Sequence, residues 1–215
     1  MCLGPNGDGK WAMPARRLVL ASTSRYRREL LERLRLPFDV VAPDVDERPL
    51  AGETPAETAV RLALAKADAV AASDAEAVVI GSDQIADLDG HGLGKPGDHE
   101  RATAQLAAMR GRTVVFQTAV AVVCAAIGFR VAELVPVAVR FRALSDAEIE
   151  RYLRAERPYD CAGSAKIETL GIALLDGVDS DDPTALIGLP LIRTCALLRR
   201  AGIDPLAATA PEPRP

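Results

Sequence analysis

Cysteine is scarce in this 215-residue chain, and the four present, Cys2, Cys124, Cys161 and Cys195, form no CxxC pair. That spacing excludes a secreted disulfide framework and leaves reduced thiols in a cytoplasmic protein as the plain reading. Histidine is scarcer still, with only His91 and His99. Neither has a Cys or His partner at zinc spacing and no GxSxG elbow occurs, so a zinc site and a Ser-His-Asp triad fall away and both histidines read as surface residues. A basic excess is absent: 26 Lys and Arg against 30 Asp and Glu leave a net charge of −4, which argues against general nucleic-acid binding. No apolar run reaches the roughly 18 residues of a membrane span; the longest candidate, Val114 to Ile127, is broken by Gln117 and Thr118. The first residues lack the charged-then-apolar order of a signal peptide. Residues 1–14 read as a disordered leader, with Met13 as an alternative start. Aromatic residues make up only 4%, so the core must be aliphatic. What is present is 49% hydrophobic and 26% charged, the composition of a folded chain long enough for one sizeable core. Residues 15–205 read as a single domain and 206–215 as a disordered tail.

Short apolar runs and helical patterns alternate along the chain. Leu18 to Ala21 reads as a strand, followed by a helix that Ser24 caps. Phe38 to Ala42 reads as a second strand, and Pro43-Asp44-Val45-Asp46-Glu47 as an acidic loop. Thr54-Pro55-Ala56-Glu57 combines a capping box with proline at the first helical position, opening a helix to about Ala72. Val78 to Gly81 reads as a buried strand ending at Ser82-Asp83-Gln84, and Asp89-Gly90 as a hairpin turn. Asp98 caps a helix that stops near Gly111. Val114 to Val123 and Val131 to Phe141 read as longer strands, the second placed at an edge or bulged by Pro136. Ser145 to Glu148 forms a second capping box for a helix to about Arg154. Gly171 to Leu175 reads as a short strand and Pro190 to Ala201 as the last helix, with Gly202 beyond it.

Three predicted strand ends carry polar clusters, and open α/β sheets bind ligands at strand ends. The first is Ser22-Thr23-Ser24-Arg25-Tyr26-Arg27-Arg28, where free N–H groups, the helix dipole and arginine forks favour an anion; a capped helix with a solvated basic face fits the spacing equally well. The second is Ser82-Asp83-Gln84, where a carboxylate held behind a buried strand suits a metal or a general base, and a turn aspartate fits too. The third is Gly92-Leu93-Gly94-Lys95-Pro96. It fails the P-loop pattern, because Asp89 stands where the first glycine belongs and Pro96 where Ser or Thr must follow the lysine. Lys95 remains a candidate point charge for phosphate. Asp176, Asp179, Asp181 and Asp182 look calcium-like, but Asp181 and Ile187 occupy the places of the EF-hand glycine and glutamate. They read as a solvated acidic loop.

Taken in order, LVLASTSRYRRELLERL, DVDE, RLALAKA, IGSDQ, LDGHGLGKP, FRALSDAEIERYL, YDCAGSAKIETLGIALL and DPTALIGLPL resemble the Maf-like nucleotide pyrophosphatases, from about Leu18 to Gly202. The YRR, GSDQ and CAGSAK variants resemble the branch acting on 7-methyl-GTP. The resemblance implies an α/β fold with an elongated mixed sheet flanked by helices and a cleft between two lobes. It implies hydrolysis of a nucleoside triphosphate between the α and β phosphates, with a Mg²⁺ or Mn²⁺ requirement and frequent homodimers. The partner expected is a small nucleotide, with no nucleic acid and no membrane. Alternatives are a broad pyrophosphatase for other non-standard triphosphates such as dTTP or UTP, or a regulatory binding protein of cell division. Asp46, Glu47 and Asp83 favour an enzyme, since a pure triphosphate binder gains nothing from anions facing phosphates.

By the same resemblance, Asp83 is the catalytic aspartate that activates water, and Asp46, Glu47 and Asp83 are the metal-side carboxylates. Ser22, Ser24, Arg27, Lys66 and Lys95 fall on phosphate-holding positions. Tyr26, Gln84 and Glu168 fall on the base-selecting ones. A cationic methylated guanine over Tyr26 adds a cation–π contribution of about 1–2 kcal/mol where desolvated. Glu168 can accept from guanine N1–H and the N2 amino group, and Gln84 can give or accept one more hydrogen bond. Two positions depart from the family pattern: Arg25 replaces a proline at the helix start, and Thr169 replaces a glycine. A positive φ at Thr169 would strain it.

Overall fold

A computed structural model describes residues 16–207. The expected leader over 1–14 lies outside the described residues, as does the expected tail after residue 207. Among the described residues, seven strands form one mixed sheet in the order β2-β1-β3-β5-β6-β7, with β4 paired to β3. β1 (Leu18–Ala21) runs parallel to β2 (Asp39–Val41) and to β3 (Val78–Leu88). β4 (His91–Leu93), β5 (Thr113–Cys124), β6 (Phe129–Phe141) and β7 (Leu175–Asp179) join antiparallel. The helices are α1 (Arg25–Glu32), α2 (Pro55–Ala71), α3 (His99–Met109), α4 (Asp146–Glu156) and α5 (Leu191–Arg200).

Side chains alternate across a strand, and on β3 this separates three cores. Val78 and Ile80 face α1 and α5, packing with Leu30, Leu31, Leu197 and Leu198. Ala86 and Leu88, farther along the same face, join Leu106, Met109, Ile149 and Leu153 of α3 and α4. The opposite face carries Val79 and Ile85 against Ala59, Ala63 and Ala67 of α2. Two lobes therefore share the long strands, with a cleft where the first two cores part.

The predicted caps form as the sequence requires. Ser24 accepts from the Arg27 N–H, and Asp98 from the Arg101 N–H. Both capping boxes close, Thr54 with Glu57 and Ser145 with Glu148. Asp89 and Gly90 take positive φ in the hairpin turn. Pro136 is exposed and pairs with Gln117 on one side only, because β7 reaches just Ala138 to Phe141 of β6. Its missing N–H costs nothing at that free edge.

Three local expectations are corrected. β3 does not end at Gly81 but continues through the polar residues to Leu88. Gly171 to Leu175 is not a strand: Leu170–Leu174 forms a 3-10 turn, and β7 begins only at Leu175. A Cβ at Gly171 would collide with the Lys166 carbonyl, so the chain wraps too tightly there for extension. Asp182 is no solvated loop residue, being 0% exposed. Its carboxylate accepts from Thr184 and from the Ile192 and Arg193 N–H groups at the start of α5. It caps that helix from ten residues away in sequence, where the local cap position is Pro190. No helix among the described residues is long and apolar enough to cross a membrane.

Candidate active site

The cleft lies at an interruption in the sheet. β1 covers β3 only over Val78 to Gly81, and β4 only over Ala86 to Leu88. Between them, Ser82 to Ile85 have β5 on one side and, among the described residues, no strand on the other. Polar side chains survive in the middle of a strand because the neighbouring strand is missing. Successive residues leave on opposite faces, so the gap opens to both: Asp83 faces α2, while Ser82 and Gln84 face the 185–188 turn.

On the α2 face, Asp83 and Lys66 are 7% and 4% exposed. Lys66 Nζ donates to Asp83 Oδ1 at 2.7 Å and lies 2.7 Å from Glu47 Oε1. The closeness traces to Gly81, where a Cβ would collide with the Ala63 carbonyl and lie 2.8 Å from Ala67 N. A bare backbone and an alanine stripe let α2 settle on the sheet, so Lys66 reaches the carboxylate without bending around bulk. Burial works to raise the Glu47 carboxyl, but the Lys66 hydrogen bond and charge, with Lys95 and Arg27 behind them, hold it below its ordinary value. Burial lowers the Arg27 guanidinium against the attraction of Asp83 and Glu47. Arg27 Nε donates to the Gly188 carbonyl at 2.9 Å, which fixes the fork and leaves its Nη groups for a ligand.

The cleft has two chambers that meet at Arg27, Gln84, Lys95 and Ala162. One, of about 450 Å³, holds Glu47, Lys66 and Asp83. The other, of about 350 Å³, is lined by Thr23, Ser24, Tyr26, Cys161 and Glu168 among others. Lys95 is exposed at the junction. Its loop is braced by Gln105 of α3, which donates to the Gly94 carbonyl at 3.1 Å and accepts from the Ser164 hydroxyl at 2.6 Å.

In the second chamber, burial raises the Tyr26 phenol to about 12, against the hydrogen bond from Arg25. The Arg25 guanidinium lies 4.7 Å from the Tyr26 ring centroid and donates to its hydroxyl at 2.8 Å. One face of the tyrosine is thus covered by a residue of its own helix. Burial likewise raises the Cys161 thiol, to about 12, so it stays protonated. Glu168 sits at the rim, exposed by area yet enclosed enough that desolvation raises its carboxyl. Thr169 has φ −131°, so the feared positive-φ strain does not arise. Gln84 Nε2 lies 2.9–3.0 Å from Thr118 Oγ1 and the Ala185 and Leu186 carbonyls. With its donors committed, only its carbonyl oxygen is left for a ligand.

The structure does not bring every predicted residue to the cleft. Asp46 turns outward and pairs with Arg48, at 2.5 Å from Oδ2 to Nη2. Ser22 is buried and accepts from the Ser24 N–H at 3.1 Å, serving the turn rather than lining a chamber. Among the described residues no group of three or more His, Cys, Asp or Glu side chains could hold a metal ion alone. Residues not singled out in the sequence also shape the site. Arg61 grips Glu53 and donates to the Arg48 carbonyl at 3.0 Å, tying the acidic loop to α2. Arg61 stands five residues before Lys66 on the same helix, a spacing that marks nothing by itself.

A sequence model of the Maf-like protein family matches residues 17–201. Proteins named 7-methyl-GTP pyrophosphatase are similar to this chain along most of its length. One from Albidiferax ferrireducens is 67% identical over 193 residues, covering 90% of this chain and 97% of that one. One from Polaromonas is 69% identical over 189 residues, covering 88% and 86%. One from Thiobacillus denitrificans is 58% identical over 189 residues, covering 88% and 94%. Among solved structures, the Ham1 protein of Staphylococcus aureus aligns at 16% identity and a TM-score of 0.43, over 60% of this chain and 73% of that one.

Proposed function

The chain belongs to the Maf-like protein family, and on that premise we propose that it hydrolyses 7-methyl-GTP to 7-methyl-GMP and pyrophosphate. The observation that carries this reading is the junction of the two chambers. A fixed arginine fork and an exposed lysine meet there, with a buried Lys66–Asp83 pair on one side and a tyrosine–glutamate chamber on the other.

The triphosphate lies across the junction with Arg27 and Lys95 on its oxygens. The β and γ phosphates enter the chamber of Lys66, and the base enters that of Tyr26. Lys66 lowers the cost of bringing an anion beside Glu47 and Asp83 and holds Asp83 in place. Asp83 accepts the proton of the water that attacks the α-phosphorus in line with the leaving pyrophosphate. Water's oxygen bonds to the α-phosphorus, the α–β bridge breaks, and its electron pair leaves on the β-phosphate. Glu168 accepts from guanine N1–H and the N2 amino group, and the Gln84 carbonyl oxygen accepts a further N–H. The base stacks on the tyrosine face that Arg25 leaves open. Uracil and thymine offer a single N3–H donor flanked by the O2 and O4 acceptors, so one Glu168 oxygen would face a carbonyl oxygen and repel it.

Glu47 and Asp83 suit a divalent cation that takes one or two carboxylates plus substrate phosphate oxygens, as Mg²⁺ and Mn²⁺ do. These two residues would hold it, and Asp46 would stay outside. When bound, such an ion neutralises charge developing on the phosphates.

The test is pyrophosphate release from 7-methyl-GTP, GTP, dTTP, UTP, CTP and ITP with Mg²⁺ or Mn²⁺. The expected result is a strong preference for 7-methyl-GTP that Asp83→Asn reduces by about 10²–10⁴-fold in kcat, with an unchanged circular dichroism spectrum. Activity confined to dTTP and UTP would overturn the base assignment. Full activity in Asp83→Asn would overturn the mechanism.

A further inference from the structure

The chamber that receives the β and γ phosphates has a wall that phosphates do not use. Phosphate oxygens need donors, and Lys66, Lys95 and Arg27 supply them. Pro49, Pro55, Leu62 and Ile85 line the same space and offer none. At about 450 Å³ this chamber exceeds the one assigned to the base, at about 350 Å³. Both volumes lie in the range that encloses small organic ligands.

The hairpin arm supplies the second observation. Gly92 and Gly94 both line this chamber. Neither has a positive φ, so backbone conformation does not demand glycine at either position. A Cβ at Gly94 would meet nothing within 4 Å. One at Gly92 would lie 3.1 Å from Ile85 Cγ2 and 3.8 Å from Pro55 Cγ, making these three residues one continuous surface. Glycine here keeps a strand face bare, and bare peptide planes let a flat ligand approach the backbone closely.

We propose that this surface is a second nucleoside subsite, and that the enzyme also cleaves P1,P3-dinucleoside 5′-triphosphates carrying 7-methylguanosine at one end. The inference rests on the function proposed above. The 7-methylguanosine occupies the Tyr26–Glu168 chamber, the three phosphates cross the cations, and the second nucleoside lies on Gly92, Gly94 and Ile85. Water's oxygen bonds to the phosphorus nearest 7-methylguanosine. The bridge to the middle phosphate breaks with its electron pair on the middle phosphate, and Asp83 takes the proton. The products are 7-methyl-GMP and a nucleoside diphosphate, with one water consumed.

The experiment compares 7-methyl-GTP with P1-(7-methylguanosine)-P3-adenosine triphosphate, reading products by chromatography on the wild type, Gly92→Ala and Gly92→Leu. The expected result is turnover of both by the wild type, with kcat/KM values within about tenfold, and 7-methyl-GMP plus ADP as the dinucleotide's products. Gly92→Leu should lose at least about tenfold on the dinucleotide while keeping 7-methyl-GTP turnover, and Gly92→Ala should keep both, since small changes in pocket volume discriminate on that scale. A measurement that needs no variant is inhibition of wild-type 7-methyl-GTP hydrolysis, where ADP should compete more strongly than pyrophosphate. Turnover of 7-methyl-GTP with the dinucleotide inert would overturn the subsite and leave the proposed function standing. So would equal losses on both substrates in Gly92→Leu, or 7-methyl-GDP and AMP as products. If neither substrate is cleaved, the proposed function falls and the subsite falls with it.

Discussion

A carboxylate that accepts two N–H donors from a base must be ionised to do so, and enclosure at the rim works against this for Glu168. Desolvation raises its carboxyl; its own backbone N–H and Lys166 pull the other way and do not cancel the shift. The protonated form therefore persists to a higher pH than for a free glutamate. Protonated, Glu168 can accept at one oxygen only. Recognition of 7-methyl-GTP should weaken as pH falls through a value above the ordinary glutamate pKa of 4.5. The check is the pH dependence of kcat/KM for 7-methyl-GTP in the wild type and Glu168→Gln. The variant should lack that acidic limb and lose about 1–3 kcal/mol of transition-state stabilisation at neutral pH, the cost of a mismatched buried hydrogen-bonding group. An identical limb in both proteins would remove Glu168 from base recognition.

At the scale of elements, the site depends on how closely α2 rides on β3. Gly81 is the contact point, and a methyl group there would collide with the Ala63 carbonyl. Gly81→Ala should cost about 1–3 kcal/mol by overpacking, a fall of about 2–4 °C in Tm for each kcal/mol in a chain of this size. Because Lys66 lies between Ala63 and Ala67, lifting the helix also lengthens its contact with Asp83. The variant should lose kcat as well as Tm. A Tm loss with kcat unchanged would show that the helix spacing serves packing alone. The elements themselves were legible in the sequence where local chemistry writes them: Ser24, Thr54, Asp98 and Ser145 caps, the Asp89-Gly90 turn, the alternation of β6. The gap beside Ser82 to Ile85 was not, because the absence of a neighbouring strand is a property of pairing between distant segments. The sequence puts Asp83 at a strand end, whereas it lies inside β3, at the stretch that neither β1 nor β4 reaches. The family pattern puts Asp46 and Glu47 forward together, yet Glu47 meets Lys66 while Asp46 pairs outward with Arg48, and one residue's difference in side-chain direction leaves no trace in composition or spacing. Asp182 was misread because a helix cap supplied from ten residues upstream looks like any loop aspartate.

Over the whole molecule, β3, β5 and β6 belong to the cores of both lobes, so neither lobe can open without exposing the strands of the other. Unfolding should be one cooperative transition by every probe. Two carboxylates, one beside α2 and one in α4, also have ionised forms that the fold stabilises. Glu53, beside the acidic loop, is held at about 2 by its hydrogen bond from Arg61, with the Leu50 N–H and Thr58 adding to it. Glu148, in the α4 capping box, is held at about 2 by the Ser145 N–H first, then the Ser145 hydroxyl and Arg142. Both have an ordinary value of 4.5. A depressed folded-state pKa means that the unfolded chain binds protons first, so stability from these groups is complete above about 4.5 and is lost as pH falls toward about 2. Chemical denaturation at a series of pH values should show a free energy of unfolding that declines across this window. Glu53→Gln and Glu148→Gln should each lower the plateau near neutrality and flatten the decline, because the protonation that drives it has been removed. Since the two lobes share their strands, both variants should shift the same single transition, by fluorescence and circular dichroism alike. Two separate transitions, one moved by each variant, would mean that the long strands do not couple the lobes.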